Sequence, residues 1–197
     1  MKAKETFFSK RIYPLLFMLI VTVVCILATS GLYLATQDRA MANELSFTRR
    51  AILDAAGISY QPTQSGIETA YLQNIEEQQG YFTALVANDT RYIILLEGPG
   101  LWGKISIMAG FEQDLKTFSG LAIVSQNETP GLGARIEEPW FTEQFKGKVP
   151  PFVLVEEGTA DAADEIDAIT GATRTSEYFR NLANSAATEA SRIIGRQ

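Results

Sequence analysis

Residues 167–176 have the sequence Asp167-Ala168-Ile169-Thr170-Gly171-Ala172-Thr173-Arg174-Thr175-Ser176, ahead of a segment with helical periodicity. Gly171 permits backbone conformations that other residues avoid. Four hydroxyl side chains surround it, and Ser and Thr are favoured N-cap residues of helices. A helix N-terminus presents unpaired N–H groups and a partial positive charge, which suit a phosphate. The stretch is therefore either a plain helix cap or a phosphate site, with Arg174 as a candidate counter-ion.

The composition excludes several kinds of chemistry. The 197 residues include no His and a single Cys. The absence of His excludes Ser-His-Asp hydrolysis, His-based acid–base catalysis and ligation of metal or haem by His. One cysteine cannot form a disulfide, a Cys-x-x-Cys motif or a four-cysteine cluster site within the chain. A redox function would therefore need an organic cofactor or a partner.

The N-terminal region predicts a membrane anchor. Residues 12–37 contain no Asp, Glu, Lys or Arg, and a bilayer is spanned by about 20 residues. Residues 1–11 carry four basic side chains and one acidic side chain, so we expect them to be a cytoplasmic tail, with the rest of the chain beyond the transmembrane helix outside the cytoplasm. A cleaved signal peptide is the alternative. The chain has a net charge of −6, and its acidic body argues against a nucleic-acid partner.

The pattern after residue 37 predicts an α+β domain with a mainly antiparallel sheet. Helices are expected over residues 37–56, 67–78, 140–145 and 178–194, with Gly57 ending the first. Strands are expected over residues 81–86, 91–96, 105–111, 120–124 and 152–155, with a hairpin turn at Asn88-Asp89. We therefore expect a helical connecting segment over 38–80 and a single domain over 81–197.

Two glycine-rich clusters are candidates for binding loops. Gly98-Pro99-Gly100-Leu101-Trp102-Gly103 combines close backbone approach with the flat face of an indole. Asn127-Glu128-Thr129-Pro130-Gly131-Leu132-Gly133 contains a Pro-Gly turn that can present N–H groups beside an apolar side chain. Each cluster taken singly is better explained as an ordinary loop. Hydrogen bonds to one edge and apolar contact with one face are, however, what a flavin ring needs.

Taken together, the three clusters resemble one protein family. Asp167-x-x-Thr170-Gly171-Ala172-Thr173 resembles the Asp-x-x-(Ser/Thr)-Gly-Ala-(Thr/Ser) signature of proteins that carry FMN covalently. Glu-Thr-Pro-Gly-Leu-Gly and Gly-Leu-Trp accompany that signature in membrane-anchored FMN subunits of ion-translocating redox complexes. This family includes the C subunit of the sodium-translocating NADH:quinone reductase and the G subunit of the Rnf complex. Gly100-Leu101-Trp102 and residues 145–148 favour the former type.

The resemblance implies specific roles for the site residues. A flavin transferase would join the FMN phosphate to the hydroxyl of Thr173 as a phosphoester. Arg174 would neutralise the phosphate or point to solvent, and Asp167 would cap the turn or help the transferase to recognise the segment. The residues that would present Thr173 are Thr170, Gly171 and Ala172. The residues that would line or flank the flavin ring are Glu128, Thr129, Leu132, Gly133, Leu101 and Trp102.

The resemblance also implies an electron-transfer subunit of a respiratory complex in the bacterial inner membrane, with its FMN domain on the periplasmic side. Such a protein would not be a catalyst by itself, and it would pass electrons between other membrane subunits of the complex. The alternatives are an Rnf-type subunit or another extracytoplasmic flavin carrier. A cofactor-free, membrane-anchored assembly module is a further alternative, in which Thr173 is only part of a helix cap.

Overall fold

The computed structural model describes residues 12–195, so the predicted cytoplasmic tail over 1–11 lies outside the described residues. The chain divides into two compact units, one up to Leu45 and one from Ser46 onward. Helix α1, Tyr13–Ala56, contributes to both units.

The first unit is the apolar part of α1. All side chains from residue 12 to residue 36 are exposed. Within residues 12–195, α1 is the one helix that is long and apolar enough to cross a membrane. The hydroxyl groups of Thr22, Thr29 and Thr36 donate to carbonyl oxygens four residues earlier, each at 2.8 Å. These hydroxyls are therefore satisfied within the helix, as an apolar environment requires.

The second unit is built on an antiparallel sheet of five strands in the order β1-β2-β3-β4-β5. Their bounds are β1 Ile75–Glu77, β2 Phe82–Val86, β3 Asp89–Pro99, β4 Lys104–Phe111 and β5 Phe118–Ser125. A parallel pair consists of β6 Val153–Val155 and β7 Glu165–Asp167. The other helices are α2 Gln64–Asn74, a 3-10 helix Gly133–Glu137, α3 Pro139–Glu143 and α4 Thr173–Ile194. The predicted α+β fold with a mainly antiparallel sheet is confirmed.

Several element bounds differ from the prediction. The helix predicted over 67–78 ends at Asn74, because Ile75 is extended and pairs with Ala84 as the first residue of β1. The hairpin turn consists of Ala87-Asn88, whose φ angles are 53° and 72°. Asp89 is instead the first residue of β3 and pairs with Val86. Two positive φ angles in succession match the twist of the flanking strands.

Helices cover both faces of the sheet. One face buries the last turns of α1 and part of α2 against Ile93 and Met108. The other face packs against α3 and α4 around a cluster of phenylalanines. The members of this cluster are Phe111, Phe118, Phe141, Phe145, Phe152 and Phe179. Full burial of such a side chain contributes about 1.5–3 kcal/mol, so this face is the main apolar core of the unit.

The C-terminus of α1 is fixed to the sheet, and Gly57 ends the helix as predicted. Gly57 has a φ of 66°, and Ile58 N–H donates to the carbonyl of Leu53 at 2.9 Å in a Schellman pattern. Arg91 Nη1 donates to the carbonyl of Ala56 at 2.5 Å, where a cation also complements the helix dipole. The last turns of α1 therefore belong to the core of the second unit.

Candidate functional site

The motif at 167–176 forms the start of α4. The helix begins at Thr173, five residues before the predicted start, and its N-cap Ala172 provides no side-chain cap. The turn is instead closed by Ser176, whose Oγ accepts the N–H of Ile169 at 2.9 Å and donates to the carbonyl of Ala172 at 3.1 Å. The N–H groups of residues 173–175 make no hydrogen bond within residues 12–195. They provide the donor set that an anion at a helix N-terminus uses.

The four hydroxyl groups of the motif differ in exposure. Thr175 is 1% exposed and donates to Glu128 Oε2 at 2.5 Å, and Ser176 is buried in the turn. Thr170 and Thr173 are exposed, but the backbone N–H of Thr170 donates to Glu157 Oε2 at 2.7 Å and its side chain also hydrogen-bonds to this carboxylate. The hydroxyl of Thr173 makes no hydrogen bond in the described part of the chain. Thr173 is therefore the hydroxyl of the motif that is both accessible and unengaged.

The three clusters meet at the carboxylate of Glu128, which is 5% exposed. Its Oε1 accepts the backbone N–H groups of Leu101 at 2.8 Å and Trp102 at 3.1 Å. Its Oε2 accepts the hydroxyl of Thr175 from the first turn of α4. Residues far apart in the sequence are thus connected through one buried acid, and both of its oxygens are engaged within the protein.

Apolar side chains are exposed in the same region. Trp102 is 69% exposed, and Leu101 and Leu132 are nearly half exposed. A Cβ atom on Gly171 would lie 3.3 Å from Leu132 Cδ2, which places Leu132 beside the turn that precedes Thr173. Exposed aromatic and aliphatic groups of this kind are typical of a surface that packs against a ligand or partner.

The turn at residues 129–134 supports Leu132. The carbonyl of Thr129 accepts the N–H groups of Leu132 and Ala134, both at 3.1 Å. Gly133 is buried, and a Cβ at its position would lie 2.9 Å from Glu128 Oε2. The predicted residues Thr129, Leu132 and Gly133 are therefore grouped by one closed turn.

A second connection to the motif was not predicted. Arg135 forms two hydrogen bonds with Glu157, at 2.8 and 3.2 Å, and Glu157 Oε2 accepts the N–H of Thr170 at 2.7 Å. The hydrogen bonds from Arg135, followed by those from Thr170, lower the pKa of Glu157 from 4.5 to about 2. Arg135 lies two residues after a predicted cluster, but nothing in the sequence pattern indicated its partner.

Arg174 and Asp167 are engaged elsewhere in the structure. Arg174 is 66% exposed and pairs with Glu177 of the same helix at 3.3 Å, with its guanidinium over the ring of Tyr178. Asp167 Oδ1 accepts the N–H groups of Thr159 at 3.0 Å and Ala160 at 2.8 Å. The carboxylate of Asp167 thus caps the turn at 156–160, and Arg174 lies along the outside of α4.

A groove of about 700 Å³ lies in another part of the second unit. It runs between the end of α1, strand β5 and helix α3, and its lining includes Arg50, Tyr60 and Lys146. None of the residues predicted for the site lines it. The candidate site at the start of α4 is therefore separate from this groove.

Comparison with known proteins gives a consistent result. Residues 100–188 match the profile of the FMN-binding domain family. The chain is 30% identical over 161 residues to the C subunit of the Na(+)-translocating NADH-quinone reductase of Yersinia pestis, covering 76% of this chain and 56% of the relative. It is 29% identical over 150 residues to the same subunit of Vibrio vulnificus strain YJ016, covering 72% and 59%. The chain thus spans less than two thirds of the length of these curated relatives.

Two solved structures are similar to the chain. The C subunit of the Na(+)-translocating NADH-quinone reductase of Parabacteroides distasonis is 27% identical, with a TM-score of 0.65 over 78% of this chain and 95% of that one. NqrC of Shewanella oneidensis is 15% identical, with a TM-score of 0.60 over 77% of this chain and 98% of that one, and shows the shared fold alone.

Proposed function

Because residues 100–188 match the FMN-binding domain family, we propose that the chain is a flavin-carrying electron-transfer subunit of a membrane-bound redox complex. The proposed complex is of the sodium-translocating NADH:quinone reductase type, on the basis of the similarity to the C subunit of that enzyme. The other membrane subunits of the complex would be its partners, donating electrons to it and accepting electrons from it.

The proposed attachment point of FMN is the hydroxyl of Thr173, joined to the phosphate by a flavin transferase. The observation that carries this proposal is the exposed, unengaged hydroxyl of Thr173 at a helix N-terminus whose first N–H groups are free within residues 12–195. Thr175 and Ser176 are too deeply buried to be modified. The backbone N–H and the side chain of Thr170 both hydrogen-bond to Glu157.

The residues around Thr173 fit an FMN group. The uncapped N–H groups of α4 would stabilise the phosphate through hydrogen bonds and the helix dipole. Leu101, Trp102 and Leu132 would pack against the ring and exclude water from one face of it. The flavin supplies the chemistry of accepting and donating electrons, and the protein positions it.

The apolar part of α1 would anchor the chain in the membrane. Residues 12–36 are exposed throughout and meet the length and hydropathy of a span. The basic residues before them support an orientation with the second unit on the periplasmic side of the bacterial inner membrane. An anchor confines the chain beside its partners and so raises their effective concentration.

The proposal can be tested by ultraviolet fluorescence of the denatured protein on a gel. Wild type, Thr173→Ala and Thr170→Ala are each coexpressed with a flavin transferase. Fluorescence in wild type and Thr170→Ala, with a dark Thr173→Ala band, is the expected result. A dark wild-type band, when a control protein is flavinylated in the same cells, would favour the cofactor-free assembly module.

A further inference from the structure

We propose that Glu128 is a positioning residue, whose buried carboxylate fixes the exposed Leu101-Trp102 segment relative to the first turn of α4. If Thr173 carries a flavin, as proposed above, this connection also sets the surface against which the flavin ring packs. The connection itself does not depend on the flavin, because every contact that defines it lies within the protein.

The carboxylate of Glu128 is held without a cationic partner. None of the ion pairs within residues 12–195 includes it, and its oxygens are occupied by two backbone N–H groups and one hydroxyl. Removing a carboxylate from water is costly unless hydrogen bonds replace the lost hydration. The three hydrogen bonds replace this hydration, and leaving a buried polar group unpaired is costly, so we infer that Glu128 holds both segments firmly.

Two glycines are explained by the position of this carboxylate. A Cβ on Gly100 would lie 2.5 Å from Glu128 Oε1, and a Cβ on Gly133 would lie 2.9 Å from Oε2 and 2.7 Å from Thr175 Oγ1. None of these three separations is tolerated between real atoms, so a side chain at either position would displace Glu128 or Thr175. The glycines of both predicted clusters therefore provide the space in which Glu128 makes its hydrogen bonds.

Substitutions at Glu128 and Thr175 differ in which of these hydrogen bonds they keep. The amide oxygen of Glu128→Gln can still accept from Leu101 and Trp102, whereas its NH2 group replaces the oxygen to which Thr175 donates. Glu128→Asp is one methylene shorter, so we expect its carboxylate to draw back from the N–H groups of Leu101 and Trp102. Thr175→Val breaks only the connection to α4, and Thr175→Ser retains it.

The first experiment measures amide hydrogen exchange of the full chain in detergent, without flavin. Glu128→Asp should accelerate exchange at Leu101 and Trp102 about tenfold or more, the effect of losing a hydrogen bond to a buried group, and Glu128→Gln should preserve their protection. The matched control is Glu143→Asp on the exposed end of α3, which should change neither amide. Unchanged exchange in Glu128→Asp, or lost protection in Glu128→Gln, would overturn the proposal.

The second experiment measures the fluorescence anisotropy of the covalently attached flavin in the folded chain. Thr175→Val should lower the anisotropy, and Thr175→Ser should retain the wild-type value. Equal anisotropy in the two variants would overturn the proposed effect on the flavin surface.

If Glu128→Asp does not fold, the exchange of Glu128→Gln and the anisotropy of Thr175→Val and Thr175→Ser still decide the result. If wild type takes up no flavin, the proposed function fails, and amide exchange alone decides the role of Glu128.

Discussion

Leu132 packs against Gly171, with its Cδ2 3.3 Å from the point that a Cβ at residue 171 would occupy. Gly171 also has a φ of 79°, which L side chains disfavour. The contact joins the Pro-Gly turn to the turn that presents Thr173. Backbone conformation therefore favours glycine at this position, and a Cβ there would also press on Leu132.

Gly171→Ala should lower the free energy of unfolding by about 1–2 kcal/mol from backbone conformation alone, and further through pressure on Leu132. Gly147→Ala is the matched control, because Gly147 has a similar φ of 74° and open space around it. Denaturant unfolding of both full-length variants in detergent measures the difference. A larger loss for Gly171→Ala is expected, and equal losses would show that the Leu132 contact contributes nothing.

Removal of residues 1–36 should leave a soluble, folded protein. The core contacts of the second unit involve residues from 51 onward. A fragment that begins at residue 58 should fail to fold, because it lacks the buried last turns of α1, including Ile52 and Leu53. Circular dichroism and size-exclusion chromatography of the two fragments test this. Aggregation of the longer fragment would contradict the assignment of a self-contained unit.

The Glu157 carboxylate should give a stability difference that depends on pH. Its pKa is lowered to about 2 in the folded state from 4.5, so its contribution is complete above about pH 4.5 and is lost as the pH falls towards 2. Glu157→Gln should therefore lower the melting temperature at neutral pH, with the difference from wild type shrinking in acid. Melting curves from pH 7 to the acid limit measure this, with the exposed Glu156→Gln as the control. A difference that is constant across this range would contradict the assignment.

Arg174→Gln should have little effect on folding or on flavin attachment. The side chain is largely exposed and its ion pair with Glu177 lies on the surface, where such pairs contribute about 0–1 kcal/mol. Unfolding measurements and gel fluorescence of the coexpressed variant test both expectations. Loss of the fluorescent band would show that Arg174 takes part in the attachment reaction.

Much of the fold could be predicted from local signals. Short apolar runs bounded by turn residues predicted β2 to β5, and Gly57 marked the end of α1. The three-residue strands β1 and β7 were missed, because such short strands depend on their partners and leave no periodicity. The start of α4 was placed too late, because the turn is closed by a hydrogen bond from Ile169 to Ser176, which propensity does not reveal.

The site could be predicted as three clusters, but their connection could not. The resemblance to a known family gave Thr173, Leu132 and Trp102, whereas spacing alone left each cluster as a plain turn. The side chain of Glu128 is buried because it accepts hydrogen bonds from residues far away in the sequence. The Arg135–Glu157 pair arises in the same way. Such contacts exist only once the chain has folded.

The central claim is covalent FMN on Thr173, and intact-protein mass spectrometry tests it most directly. The full chain is coexpressed with a flavin transferase, its mass is measured, and its peptides are fragmented to locate any modification. We predict a mass increase of one FMN less one water, located on Thr173 and absent from Thr173→Ala. An unmodified wild-type mass, with a control protein flavinylated in the same cells, or FMN located on another residue would contradict it.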